Sequence, residues 1–151
     1  MQKKYVEYLS SQLHSEQWAF FLGAMSQELL HQLSPQDVRS LARNAGMRAG
    51  RALSLPECDS LEKMEQAANA HWSRLEWGFV SFEEQSGHLA IEHHLSPLKA
   101  TMGSDAMHWS AGFLEGVYQE WFLLLGASSE LQVTQVGEAD ESGGLVFRLG
   151  R

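Results

Sequence analysis

Histidine is the residue type in this sequence that could most readily do chemistry, because seven are present among 151 residues. His88, His93 and His94 form the closest group. On a strand, His88 and His94 would share one face, whereas His93 would point to the other. Two imidazoles are too few for a zinc site, which takes at least three protein ligands. The sequence therefore predicts no metal site.

The segment 103–112 contains serine, aspartate and histidine, the three residue types of a nucleophilic triad. A nucleophile elbow requires Gly-x-Ser-x-Gly between a strand and a helix. Ser110 and Gly112 match the second half of this motif, but His108 stands where its first glycine should be. We therefore interpret Ser104 or Asp105 as the N-cap of the helix that follows. The glycine motifs that bind nucleotide phosphates do not occur, so the sequence predicts no cofactor.

Paired carboxylates leave one enzymatic alternative, a glycoside hydrolase with two acids placed across a sugar. Glu83 and Glu84 are adjacent on a predicted strand and would point to opposite faces. Glu115 and Glu120 lie five residues apart on a predicted helix. Neither pair is well placed, so we expect a protein that is not an enzyme.

Five tryptophans are the most distinctive part of the composition. Flat aromatic rings stack on sugars, and they also dominate protein cores and interfaces. Trp18, with Phe21 beside it, and Trp121 lie within apolar stripes at helical spacing. This spacing favours packing in the core or between subunits over sugar stacking, and we predict the same role for Trp109.

Two pairs of glycines occur at a spacing that allows helices to approach closely. Gly46 and Gly50 lie four residues apart on one predicted helix, and Gly112 and Gly116 lie four apart on another. Each glycine inside a helix costs about 1 kcal/mol relative to alanine, so a packing reason is expected. We predict that all four contribute to packing or to subunit contacts.

The elements that must position these residues begin with helices. A helix is predicted over 4–33, with a weak stripe of Tyr5, Leu9 and Leu13, a kink near Ser15 and a stronger apolar stripe after it. A second helix begins at Ser34, with Pro35 first and Asp37 as the capping-box acid, and runs to 53. A third runs from Asp59, with Glu62 in its first turn, to about 75.

The hydrophobic period then changes to two, which is typical of strands. Strands are predicted over 77–83 and 88–94, forming a hairpin, and over 131–136 and 145–149, forming a second hairpin across an acidic loop. A long apolar helix over 107–126 lies between them. The order predicts a single α+β domain over 1–151, with N-terminal helices and both hairpins in one antiparallel sheet.

Charge and composition exclude several classes of partner. Nineteen acidic and eleven basic residues give a net charge of −8, which argues against nucleic acid and anionic membranes. No apolar stretch reaches the ~20 residues needed to span a bilayer, and no targeting segment is visible. We therefore expect a soluble cytoplasmic protein, while a periplasmic role stays open. The basic cluster in the second helix and the acidic C-terminal half would allow complementary faces on different copies, although the charges alone favour solvated helix faces. That cluster comprises Arg39, Arg43, Arg48 and Arg51.

Several stretches together resemble the family formed by the D subunits of bacterial cellulose synthase. They are residues 43–50, 75–83 and 91–93, and above all 109–121, where Trp109, Leu-Glu-Gly-Val-Tyr and Trp121 are similar to that family's Trp…Leu-Glu-Gly-Leu-Tyr…Trp pattern. Their order and spacing agree with the family over residues 15–150. The departures are Val117, where leucine is usual, and Ser96, which separates Leu95 from Pro97.

The resemblance implies a non-catalytic accessory subunit that assembles as a ring-like octamer built from dimers. It implies partners among the other cellulose synthase subunits and in β-1,4-glucan, which the assembly would help to order for export and crystallisation. The N-terminal helix is thought to contribute to the glucan passages in that family. On that basis we predict that Lys3, Lys4, Tyr5 and Tyr8 contact glucan. The resemblance also allows an intracellular scaffold that places synthase complexes.

A second class of function stays open at this point. The order of three helices, hairpin, helix and hairpin, with Trp77-Gly78 at the first strand, also resembles small ligand-binding modules related to vinyl-reductase and vesicle-tethering subunits. Such a module would bury an apolar ligand or a partner.

Overall fold

The computed structural model describes residues 2–12 and 14–151, so that Leu13 of the predicted N-terminal stripe lies outside the described residues. Where one kinked helix was predicted over 4–33, there are two, α1 (Gln2–Ser11) and α2 (Glu16–Gln32). The break falls at the predicted place, because Ser15 has an extended backbone with φ −98° and ψ 124°. No residue of α1 is buried.

The third helix, α3 (Pro35–Ala52), begins as predicted, with the Ser34 hydroxyl accepting the Asp37 backbone N–H at 3.1 Å. The cap of α4 (Leu61–Leu75) differs from the prediction. The hydroxyl of Ser60, rather than the carboxylate of Asp59, accepts a backbone N–H of the first turn, that of Lys63, at 3.2 Å. The Asp59 carboxylate instead pairs with the Lys63 ammonium group at 2.9 Å.

The two predicted hairpins form one sheet. Its strands are β1 (Phe79–Gln85), β2 (His88–His94), β3 (Gln132–Gln135) and β4 (Leu145–Gly150), in the order β1-β2-β4-β3 with every neighbour antiparallel. The central pair β2 and β4 joins the hairpins and places Ile91 opposite Phe147. This confirms the predicted α+β class.

The long helix predicted over 107–126 is replaced by shorter pieces. A short helix α5 (Leu98–Met102) and a 3₁₀ turn (Ser104–Ala106) lead into α6 (Met107–Ser110) and α7 (Gly112–Leu124). The break lies at Ala111, whose φ of −59° and ψ of −22° are typical of a 3₁₀ turn. Neither Ser104 nor Asp105 caps a helix through its side chain, because both lie within the 3₁₀ turn.

Helix α7 lies at the centre of the main core, with ten of its thirteen residues buried. The core is built around aromatic side chains from α4, α7 and β4, among them Trp72, Tyr118, Trp121 and Phe147. A second, smaller cluster of Val38, Ala42, Ala106 and Trp109 lies beneath α2, where α3 meets α6.

Side chains from the helices cover backbone groups of both edge strands. On β1, the Asn69 amide accepts the Val80 N–H at 2.7 Å and donates to the Val80 carbonyl at 2.9 Å. On β3, Gln119 accepts the Val133 N–H at 2.7 Å, and Glu115 accepts the Gln135 N–H at 2.8 Å. Edges covered in this way are poor templates for adding a strand from another chain.

Candidate functional site

Helix α2 carries an unusual amount of exposed aromatic surface. Phe20 is 84% exposed, Trp18 59% and Phe21 51%, and Met25 is also exposed. Within α2, Ser26 is the buried residue. The apolar stripe predicted to pack in the core or between subunits is uncovered over its first half, because only the C-terminal part of α2 packs on the second cluster. We call Trp18, Phe20, Phe21 and Met25 the exposed α2 surface.

An apolar groove of about 310 Å³ lies beside this surface, between α2, α3, α5 and α6. Its walls include Leu22 and Leu29 of α2 and Leu41 of α3, with Trp109 and Phe113 below. Trp109 is buried, yet its indole nitrogen has no hydrogen-bond partner within the described part of the chain. The groove therefore combines apolar walls with one unpaired donor on a lining residue.

The four glycines singled out in the sequence all lie where α3 crosses α7. A Cβ atom on Gly46 would overlap the carbonyl oxygen of Phe113, and one on Gly116 would overlap that of Arg43. Gly50 and Gly112 are buried in the same crossing. All four glycines therefore pack between two helices of the same subunit. The structure does not place them on a surface that could contact another subunit.

Trp121 also packs inside the subunit. It is fully buried in the main core, and its indole N–H donates to the Leu53 carbonyl at 2.9 Å and the Gly50 carbonyl at 3.1 Å. These two bonds satisfy one carbonyl of the last turn of α3 and that of its C-cap residue, groups that a helix end otherwise leaves unpaired.

Ion pairs join α3 to α7. The carboxylate of Glu115, which is almost fully buried, pairs with the guanidinium groups of Arg39 at 2.6 Å and of Arg43 at 3.0 Å. The guanidinium group of Arg51 pairs with the carboxylate of Glu120 at 2.8 Å. One interpretation of the basic cluster was that it faces the acidic half of another copy, and the other was that it forms a solvated helix face. Three of its four arginines are instead paired within the same chain, so the expectation of charge complementarity between copies is corrected.

The residues predicted to contact glucan lie together on α1. Tyr5 and Tyr8 are 62% and 64% exposed, and Lys4 is exposed beside them. Lys3 pairs with Glu141 at 3.0 Å, and this hydrogen bond raises the pKa of Lys3. The Ser10 hydroxyl donates to the Ser142 carbonyl at 3.0 Å, so α1 rests against the loop between β3 and β4.

The histidine group is divided as the strand alternation predicts. His93 is fully buried, whereas His94 lies on the opposite face and stacks on Phe79 with ring centroids 4.7 Å apart. Among residues 2–12 and 14–151, no three histidine, cysteine or acidic side chains are grouped so that they could hold a metal ion.

A buried chain of hydrogen bonds around His93 was not predicted. Trp72 Nε1 donates to the Tyr118 hydroxyl at 3.1 Å, and that hydroxyl lies 2.5 Å from His93 Nδ1. His93 Nε2 lies 2.7 Å from the Trp77 carbonyl. Because a carbonyl can only accept, Nε2 carries the proton and Nδ1 accepts from Tyr118. Burial lowers the pKa of His93 to about 4 and raises that of Tyr118, so both groups are neutral.

Comparison with known proteins is decisive at the level of the family. The family model that describes the D subunit of cellulose synthase matches residues 4–150. The chain belongs to this family. Two relatives from Komagataeibacter xylinus, each named cellulose synthase operon protein D, are 28% identical to it over 127 and 129 residues. Each alignment covers 82% of this chain and 81% of the relative, and the resemblance found from the motifs is confirmed.

Membership of this cellulose synthase family supports a role in cellulose biosynthesis, as an accessory component of the operon. Other components of cellulose synthesis are accordingly its expected partners. Across the described ranges, no helix has the length and apolarity that crossing a membrane would require.

Proposed function

We propose that this chain is a non-catalytic accessory subunit that assembles with copies of itself and promotes the ordered export and crystallisation of β-1,4-glucan chains. The assembly is a ring-like octamer built from dimers, and it works on the cytoplasmic side. The observation that carries the proposal is the exposed α2 surface, which an isolated subunit would leave in water.

Self-assembly is supported by where the apolar residues lie. Clustered exposed aromatic side chains mark interaction surfaces on soluble proteins. Phe20 lies about half a helical turn from Trp18, so α2 exposes aromatic rings on two sides and has surface for more than one neighbour. With both sheet edges covered by helix side chains, the helices rather than the strands are the expected contact elements.

Glucan contact is assigned to α1. Lys3 and Lys4 offer hydrogen-bond donors, and Tyr5 and Tyr8 add flat rings with hydroxyl groups. These side chains suit a neutral polysaccharide, whose hydroxyls accept hydrogen bonds and whose ring faces are apolar. A non-catalytic role agrees with the state of Glu115 and Glu120, which are held in ion pairs with arginine.

Native mass spectrometry tests the assembly. We expect the wild type to be an octamer, and Phe20→Ser with Phe21→Ser to release smaller species, because both side chains are largely exposed in the isolated chain. Leu124→Ser is the matched control, since Leu124 is 56% exposed at the far end of α7. A wild type that is monomeric at micromolar concentration contradicts the proposal.

The cellular role is tested by deleting the gene in its host and measuring cellulose yield and crystallinity. Both are expected to fall, and unchanged cellulose in both respects contradicts the role. Re-introducing the chain with Lys3, Lys4 and Tyr5 replaced by alanine tests the glucan contact, because full rescue by that variant would remove α1 from the proposal.

A small-ligand or partner-binding module is the second candidate, and the apolar groove favours it. Its volume lies at the lower end of the roughly 300–1,000 Å³ of small-molecule sites. A monomer or simple dimer that carries a bound apolar molecule in native mass spectra would support this candidate over the accessory role.

A further inference from the structure

We propose that a cleft beside the turn between α1 and α2 binds a glucosyl segment of a β-1,4-glucan chain. This inference rests on the proposed handling of glucan and adds a site apart from the residues assigned on α1. The cleft has a volume of about 430 Å³. We call it the tryptophan cleft, and the lining residues used below are His14, Trp18, Glu76, Trp77 and Thr101.

The residue types in the tryptophan cleft match the two kinds of surface on a sugar. A pyranose ring presents apolar C–H faces, which pack on aromatic rings, and Trp18 and Trp77 both line the cleft. Its edge presents hydroxyls, which donate and accept hydrogen bonds. The Glu76 carboxylate accepts, and the Thr101 hydroxyl can do either. The adjoining apolar groove has few polar groups on its walls and lacks this combination.

Trp77 is held rigidly, as a binding platform must be. Its ring stacks on that of Trp72 at a centroid distance of 5.7 Å and an angle of 24°, and it also packs on Phe113 at 5.5 Å. Its backbone N–H donates to the Trp72 carbonyl at 2.9 Å, and its carbonyl accepts from His93. A side chain fixed before binding loses little conformational entropy when the ligand arrives.

Two further features of the tryptophan cleft concern His14 and Glu76. The Nδ1 atom of His14 is buried and has no hydrogen-bond partner anywhere in residues 2–12 and 14–151. A sugar hydroxyl that meets this atom after a rotation of the His14 side chain toward the cleft would satisfy it in either tautomer, because a hydroxyl both donates and accepts. Glu76 has a φ of 58° because it is the left-handed residue that ends α4, so the helix end fixes its position in the cleft wall.

Trp18 belongs both to the tryptophan cleft and to the exposed α2 surface, so its replacement would not separate sugar binding from assembly. Glu76→Gln and Thr101→Val are the better variants, because each keeps the side chain's shape while changing its hydrogen bonding. Glu62→Gln and Thr134→Val make the same changes at exposed positions outside the cleft and serve as matched controls.

The experiment is isothermal titration calorimetry of the full chain with cellopentaose, with maltopentaose as the α-linked comparison. We expect cellopentaose to bind more tightly than maltopentaose. Glu76→Gln and Thr101→Val are each expected to weaken cellopentaose binding about tenfold, the effect of losing one good hydrogen bond. The two control variants should bind as the wild type does.

Two results would overturn the site: no heat of binding with cellopentaose in the wild type, or unchanged affinity in both cleft variants. Native mass and the cellulose phenotype of the gene deletion are measured separately. If the octamer forms and the deletion reduces crystallinity while the cleft variants bind normally, the inference fails and the proposed function stands. If the wild type is monomeric and the deletion has no effect on cellulose, the proposed function fails, whatever the cleft variants bind.

Discussion

The hydroxyl of Tyr118 lies 2.5 Å from Nδ1 of His93, and both side chains are fully buried. The hydroxyl also accepts the Trp72 indole N–H, and the imidazole donates its own N–H to the Trp77 carbonyl. The chain of bonds runs from the aromatic core to the backbone of Trp77, which lines the proposed sugar cleft. It is satisfied only while His93 is neutral, because a protonated imidazole could not accept from Tyr118.

Stability should therefore depend on pH through His93. Its pKa is lowered from 6.5 to about 4 by burial, against a hydrogen bond to Trp77 that works in the opposite direction. Between these two values the unfolded chain binds the proton and the folded chain does not, so the free energy of unfolding rises with pH across that window. The gain from pH 4 to pH 7 is on the order of 3 kcal/mol. Urea unfolding at several pH values measures it.

His93→Gln should flatten this dependence between pH 4 and 6.5, because glutamine does not titrate. His108→Gln is the control, since it makes the same change at an exposed position. If His93→Gln keeps the full slope of the wild type, another group is responsible and the assignment to His93 is wrong.

Tyr118→Phe tests the same chain by removing one oxygen. The change leaves the Trp72 N–H and His93 Nδ1 without a partner in the core, and an unsatisfied buried polar group costs about 1–3 kcal/mol. We expect the free energy of unfolding to fall by that amount or more. Tyr8→Phe, at a position 64% exposed, should leave it within about 0.5 kcal/mol of the wild type.

Local pattern was sufficient to predict much of the fold. The alternation of apolar residues predicted both hairpins, and it placed His93 on the face opposite His88 and His94. Ser34 and Pro35 predicted the start of α3, since capping depends on a few neighbouring residues. The joining of the hairpins through β2 and β4 also agreed with the predicted single sheet.

Features that depend on distant residues were not predicted. The break at Ala111 lies inside a continuous apolar pattern, which gives no local stop signal. The exposure of the Trp18 side of α2 could not be predicted either, because an apolar stripe is the same whether it meets its own core or another subunit. The Trp72, Tyr118 and His93 chain joins three elements, and no spacing in the sequence connects them.

Gly46→Ala is expected to be severely destabilising, because the added methyl group would overlap the Phe113 backbone where α3 crosses α7. The backbone cannot yield as a flexible side chain can, so the helices must separate at a cost of several kcal/mol. Gly23→Ala is the matched control, since Gly23 lies inside α2 with nothing within 4 Å of its Cβ position. There alanine should stabilise by about 0.5–1 kcal/mol.

Thermal and urea unfolding of the two alanine variants should therefore differ in sign. Equal destabilisation by both would mean that helix packing at Gly46 is looser than the structure has it. Stabilisation by Gly46→Ala would show that α3 and α7 do not cross at this point.

Removing the half-buried arginine that joins α3 to β3 should also be costly. The Arg43 guanidinium donates to Glu115 at 3.0 Å, to Gln119 at 3.0 Å and to the Val133 carbonyl at 3.1 Å. Arg43→Met leaves Glu115, almost fully buried, with Arg39 as its remaining cation. Breaking a buried ion pair by removing one partner costs about 3–5 kcal/mol, and the retained Arg39 places our expectation at about 2–3 kcal/mol.

Lys63→Met is the control for Arg43→Met, because it breaks the exposed pair with Asp59 and should cost about 0.5 kcal/mol or less. Urea unfolding at low and high salt separates the two cases, since screening weakens an exposed pair much more than a buried one. An effect of Arg43→Met no larger than that of Lys63→Met would mean that the Glu115 network is solvated. In that case the Val133 edge of the sheet would be open to other strands, and assembly through the sheet would have to be reconsidered.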